Sequence, residues 1–136
     1  MKRQKIWVYS PKKPPRPKVP EDIKEEVETK AKELVESSLK PGYIKPPPED
    51  IDRNYIVDIY TKWHRSFFYF YAKYASSGPY SISPFFEMGF ARMGYVGDGL
   101  FDLSFMRCTE QWSEIYQNLP IDECLEAVKN DPFFLL

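Results

Sequence analysis

The chain has 136 residues, a length that is enough for one domain and too small for two of ordinary size. Its net charge is −1, and 43% of its side chains are hydrophobic. Its single histidine and two cysteines have a spacing that fits no zinc motif. No apolar run approaches the roughly 18 residues of a membrane-spanning helix, and the N-terminus lacks the apolar segment of a signal peptide. We therefore expect a cytoplasmic protein with reduced cysteines and with no membrane association, metal or cofactor.

Basic side chains are concentrated in the first 20 residues. These residues contain seven Lys or Arg and no acidic side chain, whereas acidic side chains outnumber basic ones in the rest of the chain. Five prolines between residues 11 and 20 hold this segment extended. We predict a basic, proline-rich arm over residues 1–19 and a single α+β domain over residues 20–136. The arm is either a stiff lead-in to the domain or a PxxP-type or phosphate-binding segment, with candidate binding residues Lys12, Lys13, Arg16 and Lys18.

A long N-terminal helix is predicted between residues 20 and 39. Apolar side chains recur there at the spacing of one helical face: Ile23, Val27, Ala31, Leu34, Val35 and Leu39. Pro20 suits the first turn of a helix, and the dipeptide Pro41-Gly42 predicts where the helix ends.

The most aromatic stretch, residues 55–76, has alternating apolar side chains and predicts two strands joined by a turn at Arg65-Ser66. With a two-residue turn, one face is apolar and is formed by the facing pairs Trp63 and Phe68, Thr61 and Phe70, Ile59 and Ala72, and Val57 and Tyr74. A slip by one residue would move Lys73 into that face, so the hydrophobic pattern determines the register. Because Arg-Ser lacks the Gly or Asn of tight turns, a longer loop with a bulge is the alternative.

The opposite face of this hairpin is rich in tyrosine and lysine: it carries Asp58, Tyr60, Lys62, His64, Phe67, Tyr69, Tyr71 and Lys73. Aromatic side chains with lysines on an open sheet bind single-stranded nucleic acids in several folds, and tyrosine is also enriched at protein interfaces. The candidate binding residues on this face are Tyr60, Lys62, Tyr69, Tyr71 and Lys73. A protein partner or second copy, a nucleic acid, or the chain itself covers the face, and the acidic domain argues against nucleic acid.

A second hairpin is predicted on either side of Gly97-Asp98-Gly99, with strands over residues 85–96 and 100–108. The facing pairs on its apolar side are Tyr95 and Phe101, Met93 and Leu103, and Ala91 and Phe105. Gly89 and Gly94 indicate a bulge or strong curvature in its first strand.

The last part of the chain predicts a fifth strand over residues 111–116 and a short helix over residues 120–130. The fold class is therefore α+β. We expect an antiparallel meander of four or five strands, with a long N-terminal helix across one face and a short C-terminal helix that covers an edge.

Several segments together form a pattern that covers nearly the whole chain: residues 7–11, 17–20, 55–63, 90–93, 101–107, 111–112 and 122–125. This pattern resembles a family of small prokaryotic proteins known as a domain of unknown function. Where that family tends to have a His and a Gly, this chain has Cys108 and Glu110. The resemblance implies a compact α+β protein without an established activity and supplies no catalytic residue.

No stretch of the sequence carries a recognised catalytic motif. His64 borders a turn, where a general base lacks a pocket and an orienting partner, and Cys108 has no paired histidine. The strand carboxylates alternate with basic residues, as cross-strand ion pairs do. We therefore predict a non-enzymatic protein-interaction or accessory module with no catalytic residue. The first alternative is an RNA or single-stranded DNA binding module, and the second is a metal-dependent nuclease or hydrolase.

Overall fold

Five antiparallel strands form one sheet, and their order across the sheet is their order along the chain. The computed structural model describes residues 16–46, 54–76 and 84–136. The strands are β1 (Tyr55–His64), β2 (Phe67–Ala75), β3 (Phe85–Gly97), β4 (Leu100–Met106) and β5 (Trp112–Pro120), and the helices are α1 (Glu21–Leu34), α2 (Lys40–Tyr43) and α3 (Ile121–Asn130). This arrangement confirms the predicted α+β meander, with five strands rather than four.

The N-terminal helix runs beyond its predicted end. A π-helical turn, Val35–Leu39, joins α1 to α2, and the N–H of Lys40 donates to the carbonyl of Val35 five residues earlier. The prediction that Pro41-Gly42 ends the helix was wrong, because both residues lie inside α2. A proline ring clashes with the carbonyl four residues earlier in a regular helix, and a widened turn relieves that clash. None of the helices in the described ranges is long and apolar enough to cross a membrane.

The first hairpin has the predicted register over most of its length, including the pairs Trp63 and Phe68, Thr61 and Phe70, and Ile59 and Ala72. The predicted pair of Val57 and Tyr74 was wrong, because a β-bulge at Val57 places Ile56 opposite Tyr74. Arg65 takes the left-handed conformation in the turn, with φ of 57°. The tight turn therefore forms without Gly or Asn, since Arg65 adopts the positive φ that they adopt more readily.

The second hairpin also has the predicted register: Tyr95 faces Phe101, Met93 faces Leu103, and Ala91 faces Phe105. Gly97 and Gly99 have φ of 105° and 75°, values that favour glycine and explain the turn signal. The bulge expected near Gly89 is confirmed, since Phe90 is an extra residue between the pairs that β3 forms with β2. The fifth strand extends to Pro120 and is longer than predicted.

The core lies between the sheet and the helices α1 and α3, on what we call the inner face. Its fully buried side chains include Ile59, Phe68, Phe70, Met93, Phe101 and Leu103 from the sheet and Val27 and Cys124 from the helices. Each buried side chain of this size stabilises the fold by about 1.5–3 kcal/mol. α3 packs across β4 and the edge strand β5, beside α1. Val19, the last residue of the predicted arm, is 2% exposed and belongs to the same core.

Candidate functional site

The outer face of the sheet, opposite the helices, carries a continuous row of rings. We call Tyr60, Phe67, Tyr69, Tyr71 and Trp112 the aromatic surface. Tyr60 and Tyr71 stack with their centroids 5.3 Å apart, and Tyr71 stacks on Tyr69 at 5.8 Å. Tyr69 packs edge to face with Trp112, with centroids 5.8 Å apart, and its ring is tilted against that of Phe67, with centroids 6.2 Å apart. The three predicted tyrosines therefore come together, and all five rings remain half-buried.

Trp112 completes this surface from the far side of the sheet. Although it begins β5, its indole lies over β3, where a Cβ on Gly89 would be 3.1 Å from the indole ring. Between these strands, Ser104 of β4 is only 4% exposed. The sequence alone did not identify Trp112 as a member of the site. The available signal was Gly89, an outward-facing position that leaves room for a large ring.

Arg92 lies between two rings of the aromatic surface. Its guanidinium carbon is 4.6 Å from the centroid of Phe67 and 4.9 Å from that of Trp112. Such cation–π contacts each contribute roughly 0.5–1 kcal/mol at partly exposed sites and keep the guanidinium plane in place. Within the described residues, the buried Nε of Arg92 has no hydrogen-bond acceptor.

Arg16, a predicted binding residue of the arm, lies on the outer face. Its guanidinium carbon is 5.0 Å from the centroid of Phe67, and its Nη1 is 3.1 Å from Oδ2 of Asp102. A second carboxylate, that of Glu114, is 3.8 Å from Nη2. Gly94 makes this approach possible, because a Cβ there would be 2.9 Å from both Arg16 and Phe67. The base of the arm is therefore tied to the aromatic surface.

Of the other three predicted arm residues, the structure describes one. Lys18 is exposed, and Lys12 and Lys13 lie outside the described residues. The hydroxyl of Ser66, in the first hairpin turn, donates to the carbonyl of Pro17 at 2.8 Å and holds the arm beside that turn.

Among the described residues, equal numbers of basic and acidic side chains surround the aromatic surface. The basic ones are Arg16, Lys62, Lys73 and Arg92, and the acidic ones are Asp58, Glu87, Asp102 and Glu114. Lys73 faces Asp58 and lies 4.8 Å from the ring centroid of Phe85, while Lys62 is exposed.

Tyr60 contributes a hydroxyl that stays protonated at neutral pH. The hydroxyl donates to Oε2 of Glu87 at 2.7 Å. Burial, followed by this hydrogen bond, raises the pKa of Tyr60 to about 12. Tyr60 therefore presents a neutral phenol whose O–H is already donated to Glu87.

A groove of about 370 Å³ lies between α1 and the edge of β1. Its helix side carries Glu28, Lys32, Glu36 and Lys40, and its strand side includes Asp58, Ile59 and Trp63. Lys40 contacts Glu36 at 2.7 Å and Asp58 at 3.4 Å, and the hydrogen bond to Glu36 contributes most to raising its pKa. The indole Nε1 of Trp63 is buried without an acceptor among the described residues.

His64 and Cys108, the residues considered for catalysis, belong to different parts of the fold, since His64 ends β1 and Cys108 follows β4. His64 is exposed at the end of β1, as predicted. Cys108 is exposed and Cys124 is buried, and both thiols are free. Among residues 16–46, 54–76 and 84–136, no three side chains of His, Cys, Asp or Glu are grouped so that they could hold a metal ion.

Comparison with known proteins identifies the family. A family described as "Domain of unknown function (DUF3024)" matches residues 19–135, which include every strand and helix described above. A search of curated proteins found no match, and a search of solved structures found none. Since the match covers most of the chain, this protein belongs to the DUF3024 family.

Proposed function

We propose that this protein is a non-enzymatic interaction module whose aromatic surface binds a protein partner. The observation that carries the proposal is the half-buried row of Tyr60, Tyr71, Tyr69 and Trp112 on the face that α1 and α3 leave open. Tyr, Trp and Arg dominate the binding energy of protein interfaces, because their rings offer large contact areas together with a polar group. The strands hold these rings in place, so little conformational entropy is lost on binding.

The charges around the surface favour a protein over a nucleic acid. A phosphate backbone requires a basic field, whereas the part of the outer face formed by the described residues balances four basic with four acidic side chains. Arg16 and Arg92, the two arginines among them, already contact rings, and Arg16 also contacts Asp102. A rim of mixed charge around an aromatic centre is typical of protein interfaces.

Binding of RNA or single-stranded DNA is the second candidate, and the position of Arg16 is the observation that favours it. Arg16 brings the base of the arm onto the aromatic surface, and five further Lys or Arg precede it in residues 1–13. Bases stacked on the rings would place their phosphates near such an arm.

The test begins by identifying a partner and ends with purified proteins. A photo-crosslinking amino acid in place of Glu114, which is exposed at the rim on β5, at the opposite end of the sheet from β1, would capture what binds the face in cells. The captured protein is then titrated against the wild type, Tyr71→Ser and Tyr116→Ser. Tyr116 is the matched control, because it is an exposed tyrosine opposite Leu103 on the inner face.

We expect Tyr71→Ser to weaken binding about tenfold or more and Tyr116→Ser to leave it unchanged. Equal effects of the two substitutions would contradict the proposal. Titration of labelled RNA and single-stranded DNA over a salt series separates the second candidate. Binding with a steep salt dependence that Tyr71→Ser abolishes would replace the protein partner with a nucleic acid.

A further inference from the structure

We propose that two copies of this chain associate through β1, whose free edge pairs antiparallel with β1 of the second copy. β1 is ten residues long and stands at one end of the sheet. On its far side, no strand of the described residues pairs with it. A long edge strand without a covering strand is a template for pairing with another chain.

The pairing of β1 with β2 determines which residues of β1 direct their backbone N–H and C=O groups to the other side of the strand. In an antiparallel ladder, each residue directs its N–H and C=O to the same side, and sides alternate along the strand. The two-residue turn pairs His64 with Phe67, so the even-numbered residues of β1 bond to β2. Ile59, Thr61 and Trp63 therefore direct their backbone groups away from the sheet.

The N–H of Ile59 confirms this direction. It donates to Oδ1 of the adjacent Asp58 side chain at 2.9 Å, a bond that the ladder with β2 does not provide. The N–H of Ile59 can exchange this carboxylate acceptor for a carbonyl of an incoming strand. In the part of the chain that the structure describes, no other strand or backbone group bonds to this edge along its central residues.

Charge selects one register for the pairing. If the two-fold axis passes beside Tyr60, Asp58 of each copy lies opposite Lys62 of the other. Moving the axis to Ile59 or Thr61 removes both of these charge pairs. Moving it to Asp58 or Lys62 places like charges opposite each other, which is unfavourable.

The same register joins other features of the two copies. The even-numbered positions would form the closely spaced, non-hydrogen-bonded pairs of the new ladder, so their side chains meet directly. Tyr60 of one copy would face Tyr60 of the other, and the two aromatic surfaces would become one. On the inner side, the groove of about 370 Å³ beside the edge offers space for Ile59 and Thr61 of the second copy.

This inference widens the surface of the proposed function but does not depend on it. The pairing uses the edge of β1, whereas the proposed partner contacts the rings on the outer face. Tyr71 lies on β2, one strand from the seam, and contributes no backbone group to the new ladder, so Tyr71→Ser should leave the dimer intact. Loss of partner binding and loss of the dimer can therefore be observed separately.

The first measurement is the mass of the full chain over a micromolar to millimolar concentration series, by analytical ultracentrifugation. We expect a monomer–dimer equilibrium in the wild type. Thr61→Pro should abolish it, because proline removes an N–H that the chain's own sheet does not use. Lys62→Asp should weaken the dimer about tenfold or more by placing two acids opposite each other, and Asp58→Lys/Lys62→Asp should restore it.

Cysteine crosslinking tests the register. In a Cys108→Ser background, Tyr60→Cys should form an intermolecular disulfide, because facing positions at the axis have Cα atoms about 4.5 Å apart. Lys62→Cys is the control, since its two copies would lie more than about 13 Å apart. A wild type that stays monomeric at all concentrations would overturn the inference. A dimer indifferent to Thr61→Pro, or one crosslinked through Lys62→Cys alone, would overturn it as well.

Discussion

Replacing Arg16 should detach the base of the arm from the outer face. Arg16→Met keeps the aliphatic stem and removes the charge, and with it the contacts to Asp102 at 3.1 Å and to the Phe67 ring at 5.0 Å. The Arg16 side chain is 25% exposed and the Asp102 side chain 13%, so water screens their ion pair only in part. Allowing about 0.5–1 kcal/mol each for the ion pair and the cation–π contact gives a loss of about 1–2 kcal/mol. For a domain of this size, that loss lowers Tm by roughly 3–8 °C.

Urea unfolding followed by tryptophan fluorescence measures the change, and Lys18→Met is the control because Lys18 is an exposed arm residue. A double-mutant cycle with Asp102→Asn isolates the ion pair, and we expect a coupling free energy of about 0.5–1 kcal/mol. In Arg16→Met, Asp102 would still accept its hydrogen bond from the N–H of Asn118 at 3.2 Å. If Arg16→Met and Lys18→Met were both as stable as the wild type, the arm would not be held by Arg16 and the reasoning would be refuted.

Further predictions concern two glycines and the two thiols. Gly89→Ala should lower the free energy of unfolding, measured in urea, by about 1 kcal/mol. The added Cβ would lie 3.1 Å from the Trp112 ring and would displace it. Gly42→Ala is its counterpart and should gain about 0.5–1 kcal/mol, since it lies in a helix with nothing within 4 Å of the added Cβ. A thiol reagent should react with Cys108 in the native protein and with Cys124 only after denaturation; equal reaction rates would contradict the burial of Cys124. Burial raises the pKa of Cys124 from 9.0 to about 12, so the unfolded thiol ionises first and the free energy of unfolding should fall as pH rises above about 9. Cys124→Ala should make this alkaline dependence shallower, and an unchanged slope would assign it to other groups.

The register of the two hairpins beside their turns could be predicted because each hairpin has one apolar face and one defined turn. A slip by one residue would have exchanged the faces, as for Lys73, so few registers were compatible with the sequence. The bulge at Val57 could not be predicted in this way, because both Ile56 and Val57 are apolar and either suits the inner face. The helix end predicted at Pro41 was wrong for a related reason. The π-helical turn that accommodates this proline depends on a change in hydrogen bonding that composition does not reveal.

The aromatic surface could be predicted only in part. Tyr60, Tyr69 and Tyr71 lie on one hairpin, so local pairing was sufficient to bring them together. Trp112 and Arg16 come from distant parts of the chain, and their positions depend on strand order and on the space above two glycines. No local pattern encodes such an approach. The sequence shows the two outward-facing glycines, but it does not show which side chains occupy the space above them.

The order of the strands has a consequence for how the chain folds. Each strand pairs with its neighbour in sequence, so every ladder closes only a short loop. α1 and α3 come from opposite ends, and Lys30 reaches Asp122 across a separation of 92 residues. We therefore expect the sheet to form early and the two helices to close over it together in a late step. Pulsed hydrogen exchange during refolding should protect amides of β2 and β3 before those of α1, and the reverse order would contradict this sequence of events.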